Sequence, residues 1–326
     1  NEIWNAGDKL KRSGLADTLE IIAKEGADTV YGMGKVGRQL LDDIKEFGGI
    51  LTEDDFAEYK VKWMKPVETT LNSGETIYSM PLSGSGPLLI FIMNLLKDFE
   101  LKHDTLSYHR IIEAYKIAFA RRSELADPDF VESARALVKN LTSYEYAKEM
   151  RKKIDDSKTY NNIDYYGGHF EAAPEDHGTA HISVLAPNGD AIAVTGTINY
   201  ILGSLRRSKT GIILNDEMDD FSTPGKANVY GIPPSEVNFI KPGKRPMSSM
   251  APSIIVNSHG DAELIIGSAG GSRITTSIAH TIIHYYFFKS KEPLWKTFES
   301  QRLHHQLVPN HLNYERGFDP EIIKGL

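Results

Sequence analysis

The sequence lacks cysteine and any excess of basic residues, and each absence excludes a class of protein. None of its 326 residues is Cys, so disulfide frameworks, thiolate nucleophiles and CxxC zinc sites are excluded. The chain has 37 Lys and Arg against 44 Asp and Glu, a net charge of −7. This balance argues against a broad nucleic-acid-binding surface, and we expect no nucleic-acid partner.

Long hydrophobic runs are absent as well. The most apolar stretch, residues 87–96, has about half the length that crosses a bilayer, and no basic-then-apolar signal segment opens the chain. Hydrophobic residues at 40% and charged residues at 25% are typical of a globular protein with one large domain or two modest ones. Because residues 1–8 resemble the middle of a longer chain, we expect a fragment or a processed protein.

The spacing of apolar residues predicts a mostly helical first half and a second half rich in strands. Helices are predicted over 15–24, 36–47, 52–59, 87–96, 108–125 and 134–154, with two strands over 67–79 around Asn72-Ser73-Gly74. A polar segment over 155–176 has the composition of a loop. Strands over 179–186 and 191–199 flank the hairpin turn Asn188-Gly189, strands over 253–257 and 262–267 form a second pair, and helices follow over 274–287 and 294–301.

Three local motifs have ordinary structural interpretations. Residues 32–37 match GxGxxG, but a predicted helix precedes them where a dinucleotide site needs a strand, so a helix–helix turn is expected. His280 and His284 lie at i and i+4 on one helix without the Glu of HExxH, so packed histidines are expected and no metal site is predicted. Asn140-Leu141-Thr142 is an N-glycosylation sequon, which occurs often by chance.

The segment Asp216-Glu217-Met218-Asp219-Asp220 is densely acidic. It lacks the alternate spacing and the Gly of an EF-hand loop. Two interpretations remain at this point: a solvated acidic loop, or a pocket for a cationic group such as a substrate ammonium.

Thr179 stands where the long polar segment meets a predicted strand, directly after Gly178. An ordinary strand start explains this position, since Thr is favoured in strands. The alternative is autoprocessing, in which the Thr179 hydroxyl attacks the Gly178 carbonyl and the resulting ester hydrolyses. The new N-terminal Thr could then use its own α-amine as the base for its hydroxyl. Counting back from the hairpin turn pairs Thr179 with Ile198 or Thr197, with Asn199 close by.

Two loops could complete such a site. The turn Gly267-Ser268-Ala269-Gly270-Gly271-Ser272 lies between a strand and a helix, where backbone N–H groups can form an oxyanion site. No Lys follows in the position of a phosphate-binding loop. The segment 245–250 carries Ser248 and Ser249, whose hydroxyls could donate to a carboxylate.

Together these segments resemble the γ-glutamyltransferase (γ-glutamyl transpeptidase) family in order and in spacing. The matching motifs are Gly178-Thr179-Ala180-His181, Thr197-Ile198-Asn199, Asn215-Asp216-Glu217-Met218-Asp219-Asp220-Phe221, Pro246-Met247-Ser248-Ser249-Met250 and Gly270-Gly271-Ser272. The resemblance extends into 15–129 and to 302–307, and thus covers nearly the whole chain.

The resemblance implies an α+β fold, the αββα sandwich of N-terminal-nucleophile hydrolases, and no cofactor. It implies a cut between Gly178 and Thr179, with 1–178 as the C-terminal part of a large subunit and 179–326 as the small catalytic subunit, both within one shared structural domain. The resemblance assigns Thr179 as the nucleophile, Thr197 as its support, and Gly270 and Gly271 as the oxyanion hole. It places Asn199, Glu217 and Asp220 at the donor's ammonium, and Ser248 and Ser249 at the donor's α-carboxylate.

The implied reaction is γ-glutamyl transfer from glutathione and related γ-glutamyl compounds to amino acids or dipeptides, or to water. The implied partners are these small molecules and the two subunits of one precursor, in an extracellular protein that is secreted or held by an N-terminal anchor outside this chain, glycosylated at Asn140. A catalytically silent family member and a related acylase remain as alternatives. Because the family's carboxylate-clamping Arg lies outside this chain, we expect residues 1–326 alone to show little transfer, with Arg245 and Lys244 as candidate cations inside it.

Overall fold

The computed structural model describes residues 5, 7–168, 178–226, 234–288 and 293–326. The chain divides into two compact units, one formed by Asn1–Trp63 with Tyr200–Asp216 and the other by Met64–Asn199 with Glu217–Leu326. The predicted boundary between Gly178 and Thr179 concerns processing, and it stays a prediction.

The first unit is helical, as predicted. Its helices are α1 (Ser13–Glu25), α2 (Asp28–Tyr31), α3 (Lys35–Glu46) and α4 (Glu53–Glu58). The GxGxxG segment connects α2 to α3, which confirms the predicted helix–helix turn. Thr52 and Asp55 form the capping box of α4, because the Asp55 carboxylate accepts the Thr52 N–H at 2.7 Å.

The core of the first unit forms where α3 faces the returning segment Tyr200–Asp216. Leu40, Leu41 and Ile44 are buried there, with Ile212 packed against them. Asp43 of α3 is buried among them. Burial raises the pKa of this carboxyl, but hydrogen bonds from Ser208 and from the Lys209 N–H outweigh that effect, so its pKa lies below the usual value.

The second unit holds the remaining helices. They are α5 (Gly86–Leu96), α6 (Thr105–Arg122), α7 (Glu132–Leu141), α8 (Tyr144–Arg151), α9 (Ile163–Tyr166), α10 (Arg273–Ile282), α11 (Leu294–Glu299) and α12 (Pro320–Gly325). None of the helices in the described parts of the chain combines the length and the apolar character that a bilayer crossing requires.

Three helical predictions need correction. The single helix expected over 134–154 is two helices, because Ser143 adopts an extended conformation and its hydroxyl caps α8 by accepting the Tyr146 N–H. The expected loop over 155–176 contains α9, and its residues 169–176 lie outside the described part. The helix expected over 274–287 continues beyond α10 as a π-helix over Ile283–Phe287.

The strands of the second unit form antiparallel sheets, and both predicted hairpins are confirmed. The strands are β1 (Val67–Thr70), β2 (Thr76–Ser79), β3 (Thr179–Leu185), β4 (Ala191–Thr197), β5 (Ser253–Val256), β6 (Ala262–Ile266), β7 (Leu303–His304) and β8 (Asn313–Tyr314). One sheet has the order β1-β2-β5-β6, while β3 pairs with β4 and β7 with β8.

The main core lies between the four-stranded sheet and its helices. Every residue of α5 is buried, and α5 packs on β1, β2, α6 and α10. The β3–β4 hairpin contacts β5 and β6, and the Ser183 hydroxyl of β3 donates to the Ile265 carbonyl of β6 at 2.9 Å. The hairpin that begins at Thr179 is therefore attached to the four-stranded sheet. The last strand of this sheet, β6, leads into the glycine turn, residues 267–272.

Candidate active site

Thr179 lies directly opposite Thr197 in the β3–β4 ladder, which confirms one of the two pairings expected from the turn. The Thr179 hydroxyl donates to the Thr197 hydroxyl at 3.0 Å. Thr197 Oγ1 also accepts the backbone N–H of Asn199 at 2.8 Å. A second hydroxyl therefore holds the candidate nucleophile, and it is itself fixed by the chain that follows β4.

Gly178, the residue that precedes Thr179, is held at both its backbone N–H and its carbonyl. The Gly178 N–H donates to the Asn199 carbonyl at 2.7 Å, and the Gly178 carbonyl accepts the Ile198 N–H at 3.2 Å. Asn199 is buried and has a φ of 69°, a left-handed conformation that a non-glycine residue adopts mainly under local constraint. A donor aimed at a carbonyl oxygen stabilises the negative charge that develops when the carbonyl carbon is attacked.

Ser183 joins the hairpin to β6, and His181 holds Ser183 from within the hairpin. Ser183 gives its proton to the Ile265 carbonyl, so it accepts from Nε2 of His181 at 3.0 Å, and Nδ1 is left to accept from Thr195 at 2.8 Å. Burial lowers the pKa of His181, which favours the neutral ring that this arrangement requires. A Cβ on Gly267 would collide with the His181 ring, so the close approach of the two elements requires glycine there.

The glycine turn precedes α10. Gly270 has a φ of 116° and Gly271 a φ of 58°, both in the region that favours glycine. The carbonyls of these two residues accept the first N–H groups of the helix, from Arg273 at 3.1 Å and Ile274 at 3.0 Å. The turn is thus fixed by the helix that it opens, and its role as an oxyanion hole stays a prediction.

The acidic segment is one turn of 3-10 helix over Glu217–Asp220. Met218 and Asp219 are exposed, whereas the Glu217 Oε2 and Asp220 Oδ1 atoms are buried. Two of its carboxylates therefore each turn an oxygen away from solvent. The pocket interpretation requires this arrangement, whereas a fully solvated loop would leave the carboxylates exposed.

Asn238 connects the acidic turn, Glu217–Asp220, to the serine pair, Ser248 and Ser249. The sequence did not indicate this role of Asn238. Its side-chain amide donates to the Asp220 carbonyl at 2.7 Å, and its side-chain oxygen accepts the Met247 N–H at 3.2 Å. Met247 directly precedes Ser248. The segments predicted to bind the two ends of an amino acid are thus connected through one buried amide.

The serine pair is fixed by the turn before α5. The Ser248 N–H donates to the Ser83 carbonyl at 2.8 Å, the Ser248 carbonyl accepts from the Ser85 hydroxyl at 2.7 Å, and Ser248 Oγ accepts the Met250 N–H at 3.2 Å. Ser249 is held from α10, because its carbonyl accepts from the Thr275 hydroxyl at 3.4 Å.

A cation that the sequence did not suggest contacts the serine pair. Lys244 donates its ammonium to two backbone carbonyls at 2.6 and 2.8 Å, and the backbone N–H of Arg245 donates to Asp127 at 2.9 Å. That cation is Arg122, whose Nη2 donates to Ser249 Oγ at 3.1 Å, while the role of Arg245 stays a prediction. Arg122 and Ser249 are 127 positions apart in the chain, so no local motif indicated the contact.

The remaining residues that the sequence singled out are two histidines and the asparagine of a glycosylation sequon. His280 and His284 stack with ring centroids 3.9 Å apart and bind Ser300 and Tyr108 at 2.8 and 3.0 Å, which confirms packed histidines. Within the described ranges, no group of three or more acidic or histidine side chains is placed to bind a metal ion. Asn140 is exposed at the end of α7, and its glycosylation stays a prediction.

The comparisons with known proteins identify a family. A family model described as gamma-glutamyltranspeptidase matches residues 1–326. Scoloptoxin SSD14 of Scolopendra dehaani is 43% identical over 334 residues, which cover 100% of this chain and 57% of that protein. Glutathione hydrolase proenzyme 1 of Schizosaccharomyces pombe is 39% identical, covering 99% of this chain and 51% of that protein. The chain therefore spans about half the length of the curated relatives it matches.

A solved structure shows the fold. Cephalosporin acylase from Bacillus halodurans superposes with a TM-score of 0.80 at 23% identity, covering 99% of this chain and 55% of the acylase chain. This likeness concerns the fold alone, and it confirms the predicted α+β sandwich.

Proposed function

We propose, since this chain belongs to the γ-glutamyltranspeptidase family, that it carries the catalytic centre for γ-glutamyl transfer and hydrolysis. The observation that carries the proposal is the 3.0 Å hydrogen bond from Thr179 Oγ1 to Thr197 Oγ1. Thr179 is the residue that directly follows Gly178. The donors are glutathione and related γ-glutamyl compounds, and the acceptors are amino acids, dipeptides or water.

Maturation begins with attack of Thr179 Oγ1 on the Gly178 carbonyl carbon. The C–N bond breaks, the released amine takes up the proton of the hydroxyl, and an ester joins the two residues. Water then hydrolyses the ester, which leaves Gly178 with a carboxylate and Thr179 with a free α-amine. The Ile198 N–H, 3.2 Å from the Gly178 oxygen, supports this step because it stabilises the charge that forms there.

Turnover reuses the same hydroxyl. The α-amine of Thr179 accepts the hydroxyl proton while Oγ1 attacks the γ-carbonyl of the donor, and the leaving amine departs with a proton. The γ-glutamyl ester is then attacked by an acceptor amine or by water, which regenerates the hydroxyl. In this scheme Thr197 orients Oγ1, and the N–H groups of Gly270 and Gly271 stabilise the tetrahedral oxyanion.

The acidic turn and the serine pair recognise the glutamyl end of the donor. Glu217, Asp220 and Asn199 bind its ammonium, which favours charge-assisted hydrogen bonds with carboxylates. Ser248 and Ser249 donate to its α-carboxylate. The link through Asn238 supports this division, because it holds the two segments in one arrangement.

The working protein is then a pair of subunits cut from one precursor, with 1–178 in the large subunit and 179–326 as the small one. We place it outside the cell, secreted or held at the surface, where the exposed Asn140 would be glycosylated.

The test is an assay on the full-length protein that carries this chain. Release of the aniline from a γ-glutamyl anilide, together with two bands on a denaturing gel, is the expected result. A protein that is cleaved at Gly178–Thr179 but releases aniline only from another acyl anilide is a related acylase. An uncleaved protein without activity is a silent family member.

A further inference from the structure

The contact between Arg122 and Ser249 gives the serine pair a positive charge of its own. Arg122 is the last residue of α6, and its Nη2 donates to Ser249 Oγ at 3.1 Å. Both side chains are half-buried, and the Arg122 Nε atom is shielded from solvent. An arginine in this place is favoured by the helix itself, because the C-terminal end of a helix carries a partial negative charge.

This contact determines what the Ser249 hydroxyl can do. A hydroxyl has one proton to donate and two lone pairs to accept with. Since one lone pair receives the guanidinium N–H, the proton of Ser249 is left to donate to another acceptor. The neighbouring cation polarises the O–H bond and strengthens that donation, above all toward an anion.

Ser249 is also held in place from its other side. Its carbonyl accepts the Thr275 hydroxyl of α10 at 3.4 Å, and the preceding Ser248 is fixed by Ser83 and Ser85. The hydroxyl therefore has a defined position between α6 and α10. An oriented, polarised donor beside a fixed positive charge is suited to a carboxylate.

We propose that Arg122 is a positioning residue that makes this centre selective for donors with a free α-carboxylate, and that it acts through Ser249. The inference rests on the proposed function, which puts the donor's carboxylate at the serine pair. It differs from the expectation that Arg245 or Lys244 would be the cation inside this chain. Removing the guanidinium should weaken recognition of the carboxylate and leave the acyl-transfer chemistry at Thr179 intact.

The experiment uses the full-length mature protein and two substrates, a γ-glutamyl anilide and its α-carboxamide counterpart. For Arg122→Gln we expect KM for the carboxylate donor to rise about tenfold, as for the loss of one hydrogen bond to a charged group. We expect little change in kcat and little change in KM for the carboxamide. Arg135→Gln, which removes an exposed arginine paired with Asp129, is the matched control and should behave as wild type.

A double-mutant cycle tests the route through Ser249. If Arg122 acts through that hydroxyl, Arg122→Gln combined with Ser249→Ala should bind the carboxylate donor no worse than Ser249→Ala alone. Additive losses would overturn the positioning role. Arg122→Lys keeps the charge but loses the planar donor geometry, so its KM for the carboxylate donor should lie between those of wild type and Arg122→Gln. If Arg122→Gln does not fold, Arg122→Lys takes its place in these measurements.

Binding of L-glutamate and its α-amide, measured by calorimetry, separates this inference from the proposed function. Wild type should prefer L-glutamate, and Arg122→Gln should lose about tenfold of that preference. If the wild type releases aniline but Arg122→Gln keeps the full preference for L-glutamate, the inference is overturned and the proposed function stands. If the wild type releases no aniline but Arg122→Gln loses the preference for L-glutamate, only the proposed function is overturned.

Discussion

The Thr197 hydroxyl lies 3.0 Å from the Thr179 hydroxyl, from which it accepts a hydrogen bond. It also accepts the Asn199 N–H at 2.8 Å, so Thr197 couples the candidate nucleophile to the segment that follows β4. We predict that Thr197→Val slows both precursor cleavage and turnover about tenfold or more, since a lost partner of a buried donor costs about 1–3 kcal/mol.

Thr197→Ser is the matched control, because it keeps the hydroxyl and removes only a methyl group. The rate of cleavage followed on a denaturing gel, and kcat on a γ-glutamyl anilide, measure the two effects. Equal rates for Thr197→Val and wild type would show that the hydroxyl does not orient Thr179.

Gly267 should tolerate no side chain, because a Cβ there meets the His181 ring. We predict that Gly267→Ala lowers the free energy of unfolding by about 1–3 kcal/mol, as overpacking does, and slows maturation because the hairpin that carries Thr179 must move. Gly196→Ala on β4 is the control, since a Cβ there meets no atom within 4 Å. Urea unfolding of the two variants compares them, and similar midpoints would contradict the predicted clash.

Asp220→Ala should weaken donor binding more than it slows catalysis. The Asp220 Oδ1 atom is buried, and loss of one partner of a desolvated charge pair costs about 2–5 kcal/mol. We therefore expect KM for a γ-glutamyl anilide to rise tenfold or more. Asp219→Ala, in the exposed neighbouring position, should leave KM unchanged. If both variants keep the wild-type KM, the acidic turn is the solvated loop of the alternative interpretation.

Stability should fall as the pH drops below the ordinary histidine pKa. Burial, with the charge of His103 in addition, lowers the pKa of His284 from 6.5 to about 4, and burial lowers that of His305 to about 3. Above pH 6.5 these groups are neutral in both states and contribute no pH dependence. Below it the unfolded state takes up protons that the folded state does not, so each group removes up to about 1.4 kcal/mol per pH unit until its folded pKa is reached.

Urea unfolding at pH 7 and pH 5 measures this loss. His284→Gln cannot be protonated in that range, so it should show a smaller difference between the two pH values than wild type. The contrary finding would be a wild-type stability that is equal at both pH values or higher at pH 5.

Local signals in the sequence were enough for most of the elements and for the hairpins. Asn188-Gly189 indicated the turn, and the turn limited the partner of Thr179 to Ile198 or Thr197, because register in a short hairpin follows from loop length. The break at Ser143 was missed because the apolar spacing continues across it. Ser143 interrupts the helix by an extended backbone and a cap, which periodicity does not record.

The contacts that join the segments of the site could not be read from the sequence. Arg122 and Ser249 are 127 positions apart, and Asn238 reaches Asp220 across a separation of 18. Neither Arg122 nor Asn238 stands in a motif with a characteristic spacing. Their positions follow from how α6 and the loop before β5 pack, and packing of this kind depends on the whole core.

The central claim is that one hydroxyl, that of Thr179, performs both maturation and turnover. Mass spectrometry and N-terminal sequencing of the full-length protein and of its Thr179→Ala variant, with aniline release from a γ-glutamyl anilide measured on the same samples, test it most directly. We predict a wild-type fragment that begins at Thr179, an uncleaved and inactive Thr179→Ala protein, and partial cleavage and activity in Thr179→Ser, which keeps the hydroxyl. A Thr179→Ala protein that is cleaved after Gly178, or that releases the aniline, would contradict the claim.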